Sequence, residues 1–168
     1  YSASLQVGDW TAEQPIDLLI DTLVEAEGIG IDDLIAQHEF NWKMAELSAE
    51  ARALTSKVKA LLENVPSEAE IKEKGNRDRR RRLPDVSNSP TDELNYVLSQ
   101  LETDNSDSYP PPMLLSQIGY LGSMTSSADQ RPGNEAYVRF DELRRELTML
   151  SDRAQIAEQA IHEAQNKE

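Results

Sequence analysis

The sequence has no cysteine, only two tryptophans and two phenylalanines, and no run of apolar residues near the ~18 that cross a membrane. Without cysteine, disulfide frameworks, iron–sulfur clusters and thiolate zinc sites are excluded. Positive charge is scarce: 17 Lys and Arg stand against 31 Asp and Glu, a formal net charge of −14. A phosphate backbone would be repelled almost everywhere, which argues against nucleic acid as a partner. Anionic membrane surfaces need basic faces and are disfavoured for the same reason. Aromatic residues are 5% and hydrophobic ones 38%, so the core must be lean and aliphatic. That composition suits helix-on-helix packing within the one ordinary domain that 168 residues allow. Nothing near the start reads as a signal peptide, and the first residue is Tyr1 rather than Met, the mark of a processed or partial chain.

What is present begins with alternation. Tyr1, Ala3, Leu5 and Val7 interleave with Ser2, Ser4 and Gln6, the period of a half-buried strand. Gly8-Asp9 supplies a two-residue turn with glycine first, type II′ chemistry, and Trp10 to Ile20 returns with Ile16, Leu18 and Ile20 on one face. Pro15 lacks an N–H and places the return strand at an edge. A lone hairpin is marginal in water, so residues 1–21 are expected to complete a larger sheet or to pack on the helices. Residues 22–31, with Gly28 and Gly30, read as a linker.

From Asp32 the period changes. Phe40, Met44, Leu47, Ala51, Leu54, Val58, Leu61 and Val65 alternate steps of four and three, an unbroken heptad seam. Asp32 is the expected N-cap, and Pro66 ends the helix. Ser67 and Glu70 form a capping-box signature for a short helix that stops near Gly75-Asn76. Ala136, Phe140, Leu143, Leu147, Leu150, Ala154, Ala157, Ile161 and Ala164 form a second seam, with Asn134 as expected cap and Ile156 beside the stripe. The expected fold is mainly α. A long antiparallel coiled-coil hairpin (helices about 32–65 and 134–166) would carry a small helical cap and an N-terminal β-hairpin, with residues 32–168 as the helical domain. The cap helices start at Ser89-Pro90-x-Asp92 and after Pro110-Pro111-Pro112, with Leu94, Val97, Leu98 and Leu101, then Met113, Leu114, Ile118, Leu121 and Met124, on their apolar faces.

Chemistry-bearing motifs are few. The run Arg77-Asp78-Arg79-Arg80-Arg81-Arg82 reads as a solvated loop or as a grip on an acidic protein surface, since arginine suits bidentate carboxylate pairing. Residues 83–130 hold no Lys or Arg but carry seven acids, Asp85, Asp92, Glu93, Glu102, Asp104, Asp107 and Asp129, that can face that run. Asp104 to Asp107 fails the calcium-loop pattern, with Tyr109 where glycine is needed and Leu115 where glutamate is needed. His38 and His162, one per long helix, would meet at the open end of an antiparallel pair near Glu39, Glu158 and Glu163; two exposed histidines flanking the seam is the plainer reading. No G-x-S-x-G elbow is present, and no carboxylate pair is forced into a glycosidase spacing. No catalytic residue, cofactor or metal site is assigned. Trp42 falls off the seam and either packs on the hairpin or stands exposed as an anchor. Trp42, Tyr96, Tyr109, Tyr120 and Arg77, Arg79, Arg80, Arg81 and Arg82 are the candidate partner contacts.

Residues 109–147 resemble the C-terminal tail of bacterial exported proteins that carry a sortilin-like, sialidase-type β-propeller, often labelled glycosyl hydrolases. The resemblance rests on Tyr109-Pro110, Gln117 to Leu121, Ser127-Ala128-Asp129 with Arg131-Pro132, and Phe140 to Leu143. Upstream, YSASLQVGDW looks like the last hairpin of the immunoglobulin-like domain that precedes such tails, and IDDLIAQHEF like the first long helix after it. The family has Asp-Pro after its last strand, where this chain has Asp21-Thr22. The resemblance implies the helical fold of the tail, an exported or periplasmic location peripheral to the membrane, and a large parent protein. It implies no hydrolase activity for these residues, because the propeller lies outside them.

The function expected from all this is non-catalytic: a structural and interaction module that docks other proteins in the bacterial envelope. An accessory subunit of a large membrane-bound complex, of electron-transfer or light-harvesting type, is one form of it. The alternative is a module bracing an exported propeller-type glycosyl hydrolase.

Overall fold

The structure is a computed structural model, and it describes residues 1–17, 19–64, 89–104 and 110–165. In chain order these form β1 (Ser2–Val7), β2 (Trp10–Pro15), α1 (Thr22–Ala26), α2 (Ile31–Asn64), α3 (Pro90–Leu101), α4 (Leu114–Ser126) and α5 (Asn134–Gln165). The mainly helical class, the two long helices, the shorter ones between them and the N-terminal hairpin all agree with the sequence reading. The Ser67–Glu70 capping box and the arginine run lie outside the described residues.

The hairpin forms as its chemistry dictates. Val7 pairs with Trp10 across the two-residue turn, and Gly8 has φ +62° while Asp9 does not enter positive φ, as a type II′ turn requires. β2 ends at Pro15 and does not run to Ile20. Ile16 N–H donates to the carbonyl of Tyr1 (2.9 Å), just outside the two paired strands. Leu18 is not among the described residues. The expected linker contains a short helix, α1, because the Asp21 carboxylate accepts from Leu23 N–H (2.8 Å) and caps it.

The long helices are tied by contacts whose sequence separation barely changes. Asp33 meets Arg131 at a separation of 98, Glu50 meets Arg144 at 94, and Lys57 meets Glu158 at 101. A nearly constant difference means that both chains climb together, so α2 and α5 run parallel. This corrects the expected antiparallel direction of the pair. The descending partner is the broken helix made by α3 and α4. As numbers rise along α2 they fall along α4: Gln37 Nε2 donates to Thr125 O (2.7 Å), and Met44 lies beside Gly122. Along α5, Arg139 meets Gln117 while Arg153 meets Glu93. The arrangement is therefore up, down, up, with the middle member split at residues 102–113. The shorter helices do not cap an end; they fill the seam along its length.

Their local sequence explains why they compete so well. Ser89 Oγ accepts from Asp92 N–H (3.1 Å), and the Asp92 carboxylate accepts from Ser89 N–H (3.2 Å), closing a capping box with Pro90 in the first turn. Leu94, Val97 and Leu101 of α3 and Leu114 and Ile118 of α4 are buried almost completely. At the break, Thr103 Oγ1 accepts from Met113 N–H (3.0 Å) and contacts Ser116 Oγ (2.8 Å), joining the two pieces.

The seam on α2 holds with one drift. Phe40, Met44, Leu47, Ala51 and Val58 are buried, but Thr55 replaces Leu54 as the fully covered residue. Steps of 4, 4 and 3 from Leu47 to Val58 follow a straight helix rather than a supercoiled one. Thr55 satisfies its hydroxyl by donating to Ala51 O (2.9 Å). On α5, Leu143 through Ala157 are buried, Phe140 and Ile161 are half-buried, and Ala164 is exposed.

Both long helices begin earlier than their expected caps, α2 by two residues and α5 by one. For α2, Gly30 O accepts from Leu34 N–H, and Asp33, not Asp32, returns a bond from Gly30 N–H (3.0 Å). For α5, Gly133 O accepts from Ala136 N–H (3.0 Å), and Asn134 is the first helical residue.

Candidate docking surface

At the end where α2 and α5 start, a buried polar clasp closes the bundle. Gln37 continues the heptad below Phe40 but is polar, and its amide donates to Thr125 O (2.7 Å) and Ala128 O (2.5 Å). Thr125 Oγ1 in turn donates to Asn41 Oδ1 (2.8 Å). The spacing Gln37–Phe40–Met44 in the sequence carried the signal; a polar residue on an apolar stripe masked it. Replacing Gln37 by leucine keeps the volume but strips two carbonyls of their donor, so a loss of about 1–2 kcal/mol in denaturant unfolding is expected.

Next to this clasp, Arg131 Nε donates to Asp33 Oδ1 (2.7 Å). That bond first, and the Gly30 N–H second, hold the Asp33 carboxyl below its ordinary value. Its stabilising effect is complete above the unfolded carboxylate pKa and is lost as pH falls through the depressed folded value. The stability difference between the native chain and Asp33→Asn, followed by circular dichroism across pH 6 to 2, should therefore shrink on the acid side of pH 4.

The candidate contacts fall in separate places. Trp42 is 62% exposed on the side of α2 turned from the bundle, and its indole N–H donates to Glu46 Oε1 (3.0 Å). Among the described residues the hairpin packs on no helix, so the expectation that Trp42 rests on it does not hold. Two and three turns before Trp42 on that outer side stand Ile35 and Ile31, also exposed. The three apolar side chains share the outer face of this long helix, with the exposed His38 between Ile35 and Trp42.

Tyr120 is 69% exposed on α4. Tyr96 is 42% exposed, and one face of its ring is covered by the Arg153 guanidinium, 4.3 Å from the ring centre. Arg153 also donates to Glu93, and this bond is the main reason its pKa rises above the usual value. Tyr96 is thus held partly by its own bundle. It borders an open cleft of about 760 Å³ between α3 and α5, where Arg145 and Arg153 alternate with Glu142, Glu146 and Asp152. Acids and bases interleave there, so no single charge of ligand is favoured. Tyr109, Arg77, Arg79, Arg80, Arg81 and Arg82 lie outside the described residues.

Parallel long helices also separate the two histidines. His38 lies near the level where Phe40 packs edge-on against Tyr137 (4.9 Å between ring centres), and His162 is in the last turn of α5. At 1.5 Å per residue they stand roughly 35 Å apart along the bundle. The two do not meet, and no group of metal-ligating side chains occurs among the described residues. No helix among them is long and apolar enough to cross a membrane.

No family model matches the chain, nor does any curated protein or solved structure.

Proposed function

We propose that the chain is a non-catalytic docking module, peripheral to the bacterial envelope, that holds other proteins against a rigid helical frame. The observation that carries this reading is Trp42 with Ile35 and Ile31, three exposed apolar side chains on the outer face of a helix whose opposite face is fixed in the core. Tryptophan concentrates binding energy at interfaces, and a helix already ordered by its own bundle loses little freedom on docking. An accessory subunit of a membrane-bound complex is the form that suits this surface. Mild extraction from the native envelope, with wild type beside Trp42→Ala, tests it. A fixed set of companion subunits that is lost with Trp42→Ala, while the helical signal stays unchanged, supports docking through α2. The same set retained by the variant, or none with wild type, contradicts it.

The hairpin supports a second reading, the bracing tail of an exported propeller-type glycosyl hydrolase. Its apolar face is exposed and packs on none of the described helices, as it would if further strands of an immunoglobulin-like sheet belonged over it. The intact mass of the gene product in its native host tests this: several hundred residues with propeller repeats favours the bracing role, about 19 kDa excludes it.

A further inference from the structure

The register of the hairpin sorts its side chains into two unlike faces. Directly paired residues share a face, and pairs alternate between faces along the strands. The pairs Val7–Trp10, Leu5–Ala12 and Ala3–Gln14, together with Tyr1 and Ile16, form one face. Ser4–Glu13, Gln6–Thr11 and Ser2–Pro15 form the other. The first face carries no charged side chain, although the chain as a whole is −14. The acids of the two strands and their turn, Asp9 and Glu13, sit in the turn and on the second face, and Asp17 follows Ile16 beyond the paired strands. Yet the uncharged face is uncovered: Tyr1 is 90% exposed, Leu5 60%, Val7 64%, Trp10 57% and Ile16 42%.

We propose that this face is a self-association surface, on which the hairpin of a second copy stacks to form a two-layer, four-stranded sandwich. Three features favour a second copy as the occupant. A two-fold pairing sets apolar against apolar and needs no complementary charge, which this face does not offer. Two molecules of net −14 repel, and this is a surface where they can approach with their acids turned away. The five large side chains offer roughly 600 Å² per copy, close to the ~800 Å² per partner of a stable interface. A two-stranded sheet is marginal alone, and a second layer supplies what it lacks. Because the hairpin packs on none of the described helices, pairing can proceed without disturbing the bundle they form. It does not depend on what docks against Trp42.

The chain has two tryptophans, so Trp42→Phe leaves Trp10 as a reporter on the face itself. Sedimentation from about 1 to 200 µM should show the mass rising from 18.9 kDa toward twice that, with Trp10 emission shifting to shorter wavelength in step. In the same background Leu5→Asp should weaken association at least about tenfold, since it places a charge inside the pair. Ser4→Asp adds the same charge on the opposite face of the same strand and should leave association in place. Helical circular dichroism, carried by α2–α5, reports that each variant is folded. A monomer at every concentration overturns the proposal and leaves the face to a sheet of a different protein segment. Association that survives Leu5→Asp, or that Ser4→Asp abolishes equally, also overturns it.

Discussion

Replacing Phe40 by alanine is expected to remove about 3–5 kcal/mol of stability, the cost of a large cavity in a lean core. Phe40 is 1% exposed and is the largest side chain buried so completely among the described residues. Its ring meets Tyr137 edge-on at 4.9 Å and Phe140 at 5.8 Å. These contacts join α2 to α5 at the end where the Gln37 clasp joins α2 to α4. Urea unfolding should show the midpoint falling with little change in slope, because the surface exposed on unfolding is nearly the same.

The second large effect runs in the opposite sense, from small to large. Ala154 and Ala157 are buried to within a few per cent of complete cover. They lie on the stretch of α5 held against α3 by the Arg153–Glu93 pair and the Arg153–Tyr96 contact. Small residues there let α3 sit close, and Ala154→Phe has no room to enter without pushing the helices apart. A loss of about 3 kcal/mol is expected from such overpacking. It should appear together with loss of Tyr96 burial, which tyrosine fluorescence or solvent perturbation can follow. Ile156→Ala, at an exposed neighbouring position, should change stability little and serves as the control.

Much of the frame was legible in the residues. Gly8-Asp9 marked the turn, Ser89 and Asp92 marked the start of α3, and two seams of alternating four and three marked the long helices. Relative direction was not legible, because a seam states that a helix needs a partner and not which partner or which way it runs. Leu94, Val97, Leu101, Leu114 and Ile118 made the shorter helices apolar enough to take that place. Thr55 and Gln37 escaped notice since each is polar and satisfies its hydrogen bonds only in the folded bundle. Trp42 shows the limit for the candidate surface. Its position off the seam was readable, but exposure depended on where the hairpin went, and the hairpin carries no helix-facing signal of its own.

The central claim is that one rigid up–down–up bundle, with α2 and α5 parallel, supports the exposed face around Trp42. The chain has no cysteine, so His38→Cys with His162→Cys gives two unique sites for spin labels, both exposed. Dipolar spectroscopy should return a single distance of roughly 35–40 Å, set by the rise of 1.5 Å per residue along α5. A distance below about 20 Å would place the two ends together, as only antiparallel long helices of this rise allow, and would contradict the bundle described here.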